Sequence, residues 1–189
     1  MIFTQENDYS AVLDACVLVP AALNDFLLRL AEEPAMYRPL WSEQILTEMT
    51  RALRSKLHRT AAEVAYRKDQ MCEAFPEAMV TVPAELLRAV DCLPDENDRH
   101  VLAAAIMARA NTIVTQNTKH FPNDCLSKFG VLCQTADDFL IHQYHLRPQL
   151  LLDKLDDQAA GIAQDRAYVI ASLKRSAKEF GKLLEAHAR

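Results

Sequence analysis

The sequence predicts an α/β fold in which a central parallel sheet is flanked by helices and followed by a helical extension. Two observations predict it. Up to about residue 147, short β-type runs alternate with stretches whose apolar residues recur at helical spacing. Beyond Pro148 no β-type run occurs, and apolar residues at helical spacing lie among many charges. We therefore expect a sheet domain over residues 1–147 and a helical extension over residues 148–189.

The first strand is predicted at residues 11–13, a β-type run that ends on Asp14. Pro20 favours the first turn of a helix that continues to about Glu33. A carboxylate at the end of an apolar strand is costly to bury without a partner. Two interpretations of Asp14 stay open: an acid that caps the next helix, or a metal ligand at the carboxyl edge of the sheet.

The next predicted helix begins after Ser42, a good N-cap residue, and runs to about Leu57. Glu48 lies on the flank of its apolar face, where a glutamate is either solvated or part of a site. Thr60 and Glu63 form a capping box that opens a further helix.

The central stretch, residues 93–122, reads LPDENDRHVLAAAIMARANTIVTQNTKHFP. Asp95 and Asp98 lie in the first turn of an alanine-rich helix that should end near Asn111, a residue tolerated at a left-handed C-terminal position. A buried strand follows at residues 112–115. The two acids are either ordinary helix caps or part of a ligand site, because such sites lie beyond the carboxyl ends of parallel strands.

The remaining elements continue the alternation. They are a buried strand at residues 79–82, a short helix at 84–90, a strand at 131–134, and a helix from the capping residue Thr135 to about His145. In the extension, Gly161 marks a break between two helices. The extension could pack on the sheet domain, dimerise or bind a partner, and the sequence leaves these three roles open.

Composition and charge narrow the class of protein. Hydrophobic residues make up 50% and charged residues 25% of the 189 residues, as in an ordinary globular chain. The net charge of −5 argues against nucleic-acid binding through bulk charge alone. The first residues lack a positive n-region, and no stretch reaches the ~18 apolar residues that a membrane span needs. We therefore expect a cytoplasmic protein without a membrane partner.

The chain has five cysteines, an odd number, and no CxxC pair. This spacing supports neither a zinc site nor a disulfide framework. We expect the cysteines to be small buried hydrophobic residues in a reducing cytosol.

Carboxylates from separate elements form the candidate site, with polar residues at the exit of the central strand. The candidates are Asp14, Glu48, Asp95 and Asp98, with Thr115 and Asn117 in support. Three or four converging carboxylates would repel one another unless a divalent cation neutralised them. Mg²⁺ and Mn²⁺ prefer such oxygen ligands, and a bound cation activates a water and stabilises charge on a phosphodiester.

Four sequence blocks, VLDACVLVPAAL, SEQILTEMTRAL, LPDENDRHVLAAAI and TIVTQNTKHFP, occur in the order of a known family. With them the chain, from residue 11 to about 122, resembles a PIN-domain ribonuclease, specifically a VapC-like toxin. In this resemblance Asp14, Glu48 and Asp98 match the acidic metal-site residues of the family, and Asp95 matches a neighbouring acid. Many PIN domains carry a further Asp where this chain has Asn117, which puts a second metal ion in doubt.

The resemblance implies a PIN-like three-layer sandwich and a type II toxin that cleaves RNA with Mg²⁺ or Mn²⁺. It also implies a protein antitoxin as partner, with a homodimer as a further possibility, and the residues after 147 look like the helical extension of one subgroup. RNA binding would need local positive charge. The candidates are a cluster on one helix (Arg51, Arg54, Lys56 and Arg59) and the scattered residues Arg99, Lys119 and Lys128. The cluster is equally well interpreted as a solvated helix face.

His100 and His120 are candidate proton carriers, although a metal-activated water needs neither. Two rival classes of protein share parts of this pattern. A haloacid-dehalogenase-like phosphotransferase needs a second Asp two residues after the first, and Cys16 occupies that position. A PIN-like scaffold without catalysis, acting as a protein- or RNA-binding module, is the alternative that Asn117 keeps open.

Overall fold

The computed structural model describes residues 8–187, and the predicted α/β architecture is confirmed. A five-stranded sheet has the order β3-β2-β1-β4-β5, and all of its neighbouring strands are parallel. The strands are β1 (Ser10–Leu13), β2 (Arg38–Ser42), β3 (Met79–Val80), β4 (Thr112–Val114) and β5 (Leu132–Gln134). Parallel neighbours require crossover connections, which the helices between the strands provide.

Eleven α-helices lie within residues 8–187. They are α1 (Ala15–Leu18), α2 (Ala21–Ala31), α3 (Glu43–Leu57), α4 (Ala61–Ala74), α5 (Ala84–Ala89), α6 (Arg99–Ala108), α7 (Asn123–Leu126), α8 (Ala136–Leu146), α9 (Pro148–Gly161), α10 (Arg166–Leu173) and α11 (Lys178–His187). None of these helices is long and apolar enough to cross a membrane.

Three predicted helix signals are confirmed. The Ser42 hydroxyl accepts a hydrogen bond from the N–H of Ile45 at the start of α3. Thr60 and Glu63 form a complete capping box at the start of α4. Gly161 ends α9, and α10 begins four residues after Ile162. The two caps satisfy backbone N–H groups of their own helices, and the glycine ends its helix. These signals depend only on nearby residues, so the sequence alone could predict them.

The strand order places a topological switch point between β1 and β4. Val12 of β1 pairs with Leu40 on one side and with Ile113 on the other. The chain adds β2 and β3 to one edge of β1 and then crosses to add β4 and β5 to the other edge. In open parallel sheets the crevice beyond the carboxyl ends of the strands at such a point is where ligands bind. The residues that follow β1 and β4 therefore lie at the expected ligand crevice.

Strand β2 is not among the elements that the sequence predicts. Arg38–Ser42 directly precedes the predicted helix, and this segment pairs with both β1 and β3. Pro39 lies within it, and a proline argues against an interior strand because it has no N–H to donate. Burial of both faces also removes the alternating pattern that identifies a half-exposed strand.

Two other strand and helix predictions need correction. The buried strand expected at residues 79–82 is only the two-residue edge strand β3, and Met79 is 37% exposed. Helix α6 ends at Ala108, and Arg109 rather than Asn111 adopts the left-handed conformation. The Asn111 side chain instead accepts a hydrogen bond from the N–H of Ser10, at 2.8 Å. It thereby fixes the start of β1.

The residues after 147 pack on the sheet domain and share its hydrophobic core. The rings of Phe26 in α2 and Phe180 in α11 lie with their centroids 5.8 Å apart. The buried Lys154 ammonium donates to the backbone carbonyl oxygens of Glu32 and Glu33, which follow α2. Of the three roles that the sequence left open, packing is therefore the one that the structure displays.

A disulfide between Cys92 and Cys125 contradicts the expectation that all five cysteines are free. The two Cα atoms lie 5.5 Å apart although the residues are separated by 33 positions, so only the tertiary structure brings them together. Cys16, Cys72 and Cys133 are free and only partly buried. The bridge joins the segment before Asp95 to α7.

Reduction of this disulfide is expected to lower the melting temperature of the protein. Closing a loop of this size contributes about 2–4 kcal/mol, mainly by restricting the unfolded chain. For a chain of this length that corresponds to a fall of roughly 4–16 °C. Thermal melts of the oxidised protein, the reduced protein and the double variant Cys92→Ser/Cys125→Ser measure it. The variant should have the melting temperature of the reduced protein, and added reductant should not change it. Equal melting temperatures of the oxidised and reduced wild type would contradict the prediction.

Candidate metal centre

Asp14 lies directly after β1 at the switch point. Its N–H donates to the carbonyl oxygen of Val114, which extends the β1–β4 pairing by one residue. The side chain is 5% exposed, and its Oδ2 accepts hydrogen bonds from Thr115 Oγ1 at 2.6 Å and from Cys16 Sγ at 3.0 Å. It makes no side-chain hydrogen bond to cap α1. Asp14 is therefore a buried carboxylate held by two side-chain donors and not a helix cap.

Thr115 orients Asp14 from the end of β4. The residue is fully buried, and its N–H donates to the carbonyl oxygen of Gln134 in β5. Its Oγ1 also accepts a hydrogen bond from the N–H of Asn117, so the strand exit folds around this hydroxyl. Burial, and secondarily the Asp14 charge, raise the pKa of the Cys16 thiol to about 12. The thiol consequently stays protonated at neutral pH and remains a donor to Asp14.

Asp98 faces the centre and does not cap its helix. It is the N-cap residue of α6 but makes no side-chain capping hydrogen bond. Its Oδ2 lies 2.7 Å from Nδ1 of His120, and its side chain is 17% exposed. Burial raises the pKa of the Asp98 carboxyl, and the charges of Asp14 and Asp95 raise it further, whereas His120 pulls it down. These repulsions place Asp98 in the same electrostatic neighbourhood as the other two acids.

Asp95 has the opposite character. Its Oδ1 accepts hydrogen bonds from the backbone N–H of Asn97 at 2.9 Å and from the side-chain amide of the same residue at 3.0 Å. It thereby caps a short 3-10 helix that precedes α6. The hydrogen bond from the Asn97 N–H holds the pKa of this carboxyl below its usual range. Asp95 therefore makes a capping hydrogen bond through Oδ1, while its Oδ2 lies 4.0 Å from Nδ1 of His120.

Asp95, Asp98 and His120 form a group of potential metal ligands. One donor atom from each side chain lies within 4.8 Å of the donor atoms of the other two. Carboxylate oxygens suit Mg²⁺ and Mn²⁺, and an imidazole is compatible with transition metals. Because a carboxylate can only accept a hydrogen bond, His120 has its proton on Nδ1 when Asp98 is ionised. Coordination through that nitrogen would release this proton.

Glu48 reaches α6 at a different point. Its Oε1 lies 3.0 Å from Nε2 of His100, which is in the first turn of α6, two residues after Asp98. The His100 side chain is 2% exposed, and its contact with Glu48 has the distance of an ion pair but not the geometry of a hydrogen bond. The structure thus brings Glu48 to the helix that follows Asp98 and pairs it with His100.

The sequence predicted His120 only as a candidate proton carrier, and not as a neighbour of the acids. In the structure it contacts Asp98 and lies 4.0 Å from Asp95. A weak signal was available, because His120 follows Thr115 by five residues in the polar segment at the exit of β4. Asn117 is exposed there and begins the short 3-10 helix that presents His120.

Comparisons with known proteins identify the family of this chain. The sequence profile of a family described as the PIN domain matches residues 10–119, more than half of the chain. The Mycobacterium tuberculosis (strain ATCC 25618 / H37Rv) protein named "Putative ribonuclease VapC50" is 53% identical over 49 residues. That alignment covers 26% of this chain and 29% of the mycobacterial protein, so the chain matches less than a third of the length of that relative.

Proposed function

Because the chain belongs to the PIN-domain family, we propose that it is a Mg²⁺- or Mn²⁺-dependent endoribonuclease. In this proposal it is the toxin of a type II toxin–antitoxin pair and acts in the cytoplasm. The observation that supports the chemistry best is the juxtaposition of Asp98 with His120 and with the Asp14 charge at the switch point of the sheet. A buried carboxylate without a basic partner, such as Asp14, is costly unless a cation compensates it.

Asp14, Glu48 and Asp98 are the proposed metal ligands. Asp95 and His120 are further potential donors, and they are grouped with Asp98. A bound divalent cation would supply an activated water and stabilise charge on the phosphodiester. The chain's own residues prepare the site for it. Thr115 and Cys16 fix the orientation of the Asp14 carboxylate before a cation binds.

His120 is proposed to position Asp98 and to hold a proton at the edge of the site. Its Nδ1 contacts Asp98 and its side chain is partly exposed, so the ring can exchange that proton with solvent. Asn117 stands where many PIN domains have an acid, which leaves the cluster one negative charge short. This favours one cation over two, because a second cation would need further carboxylates.

An apolar groove is a candidate binding site for the proposed antitoxin. A cavity of about 550 Å³ lies between α2, α3 and α4, and its lining includes Leu28, Leu53, Leu57 and Tyr66. Leu57 and Tyr66 are exposed large hydrophobic residues at its edge. An amphipathic helix that lays its apolar face into a groove is a common mode of peptide recognition. A second copy of the chain remains a further proposed partner.

Purified protein is expected to cleave single-stranded RNA with Mg²⁺ or Mn²⁺ and to leave it intact with chelator. Sequencing of cellular RNA ends after brief induction then identifies the target and the position of the cut. Expression should also slow bacterial growth, and co-expression of the neighbouring gene product should relieve the effect. If the protein bound RNA but did not cut it with either metal, the proposed enzymatic activity would be wrong. The alternative of a catalytically inactive PIN-like scaffold would then be favoured.

A further inference from the structure

One exposed face of α3 concentrates positive charge that has no carboxylate partner. Arg51, Arg54 and His58 are exposed on this helix and at its C-cap. None of the three forms an ion pair with any carboxylate in residues 8–187. We call these three residues the basic face of α3.

Elsewhere in residues 8–187, eight Lys and Arg side chains form ion pairs with carboxylates. The ion pairs are Arg29–Asp25, Arg59–Glu63, Lys68–Glu43, Arg88–Glu85, Arg99–Glu96, Arg166–Asp156, Lys174–Glu185 and Lys182–Glu179. A chain with a net charge of −5 has more carboxylates than cations to pair. Arg51 and Arg54, in contrast, are both exposed, form no ion pair within the described residues and lie one turn apart on α3.

The basic face lines a shallow concavity of about 700 Å³. Its other lining residues are Thr47, Thr50, Ser55 and Arg59. The lining thus combines hydroxyl donors with guanidinium groups and includes no acidic side chain. Hydroxyls and guanidinium groups are the donors that recognise phosphate oxygens, and the guanidinium fork does so with two parallel hydrogen bonds.

The same helix leads from this face to the candidate centre. Glu48 precedes Arg51 by three residues, so the two lie one turn apart on α3. At a rise of 1.5 Å per residue, Arg54 lies about 9 Å and His58 about 15 Å along the helix axis from Glu48. That distance corresponds to roughly three to four nucleotides of a stacked strand. A strand that enters the centre can therefore follow the basic face without leaving the surface of α3.

We propose that the basic face of α3 binds backbone phosphates of single-stranded RNA on one side of the bond that is cut. This inference rests on the proposed ribonuclease function and names the residues that position its substrate. It also explains how a chain of negative net charge binds a polyanion, because attraction is concentrated beside the acidic centre. The contacts are to phosphates, so they add affinity without sequence preference.

The test compares two double variants that each remove two positive charges. Arg51→Gln/Arg54→Gln alters the basic face, whereas Lys56→Gln/Lys178→Gln removes two exposed cations that lie outside the concavity and form no ion pair within residues 8–187. Lys56 is an internal control on α3, two residues and about 200° around the helix from Arg54. Circular dichroism and thermal melts establish that both variants are folded.

Binding of a fluorescent mixed-sequence single-stranded RNA is measured in chelator over a series of salt concentrations. Each phosphate contact contributes about 0.7 to the slope of log affinity against log salt for single strands. The basic-face variant should lose about 1.4 from this slope and bind at least roughly tenfold more weakly at low salt. In cleavage assays its KM should rise with little change in kcat. The control should bind and cleave within about twofold of the wild type.

Equal slopes for the two double variants would overturn the proposal and leave the basic face as a solvated helix surface. Loss of binding to an acidic peptide with unchanged RNA binding would overturn it too, in favour of a protein partner. The experiment distinguishes failure of the proposed ribonuclease function from failure of the proposed phosphate contacts. A wild type that binds RNA through this face but cuts nothing would refute only the ribonuclease. Cleavage with an unchanged KM in the basic-face variant would refute only the phosphate contacts.

Discussion

Asp14→Asn is expected to reduce the rate of RNA cleavage by about two to three orders of magnitude, the usual cost of removing one electrostatic element of an active site. The substitution keeps the shape of the side chain and one oxygen that can accept from Thr115. It removes the negative charge that would hold the cation. Cleavage rates with saturating Mg²⁺ or Mn²⁺ and thermal melts of both proteins measure the effect.

The matched control is Asp157→Asn, which removes one exposed carboxylate from α9. This residue forms no ion pair within the described part of the chain, so its replacement should leave cleavage unchanged. Wild-type cleavage by folded Asp14→Asn would show that the centre lies elsewhere. An unfolded Asp14→Asn would be replaced in the assay by Asp14→Glu, which keeps the charge but moves it by one methylene and should also lose most activity.

Local signals in the sequence were enough to predict element boundaries that depend on neighbouring residues alone. The end of β1 at Asp14 and the N-cap at Ser42 each follow from residues a few positions apart. Strand β2 could not be found in this way. Its evidence is the pairing with β1 and β3, and Pro39 hides it from any rule based on propensity.

The parts of the candidate centre that escaped prediction are contacts between distant residues. His120 meets Asp98 across 22 positions, and Cys92 meets Cys125 across 33. Nothing within either segment specifies these contacts, because they depend on how the loop before α6 packs against the exit of β4. Conversely, the sequence made Asp95 and Asp98 look equivalent. In the structure Asp95 accepts a capping hydrogen bond from the N–H of Asn97, whereas Asp98 makes no capping hydrogen bond and contacts His120.

This difference between Asp95 and Asp98 leads to opposite effects of one substitution on stability. The pKa of Asp98 is raised in the folded protein, above the ordinary value of 3.8, mainly because burial disfavours its charged form. The folded state therefore binds this proton more tightly than the unfolded state, and stability falls as pH rises through the raised pKa. Asp95 has a lowered pKa, so its charge stabilises the fold above pH 3.8 and that contribution is lost as pH falls.

Asp98→Asn should accordingly raise the melting temperature of the metal-free protein at neutral pH, by an amount on the order of a few degrees. The gain should vanish near pH 3.5, where the wild-type carboxyl is itself protonated. Asp95→Asn should lower the neutral-pH melting temperature, because it removes a charge that accepts from the Asn97 N–H. Thermal melts of the three proteins in chelator at both pH values measure these changes.

Added Mg²⁺ or Mn²⁺ separates the metal centre from a purely structural role for Asp98. By mass action a bound cation should stabilise the wild type by about 2.7 kcal/mol at a hundredfold excess over its dissociation constant, and Asp98→Asn much less. Cleavage by Asp98→Asn should fall by at least about 100-fold even though the variant is the more stable protein in chelator. If the Asp98 charge only interacted favourably with the dipole of α6, its removal would lower the free energy of unfolding by up to roughly 1 kcal/mol, and added metal would not change stability. A variant that melts below the wild type in chelator, with neither protein responding to metal, would therefore remove Asp98 from the site.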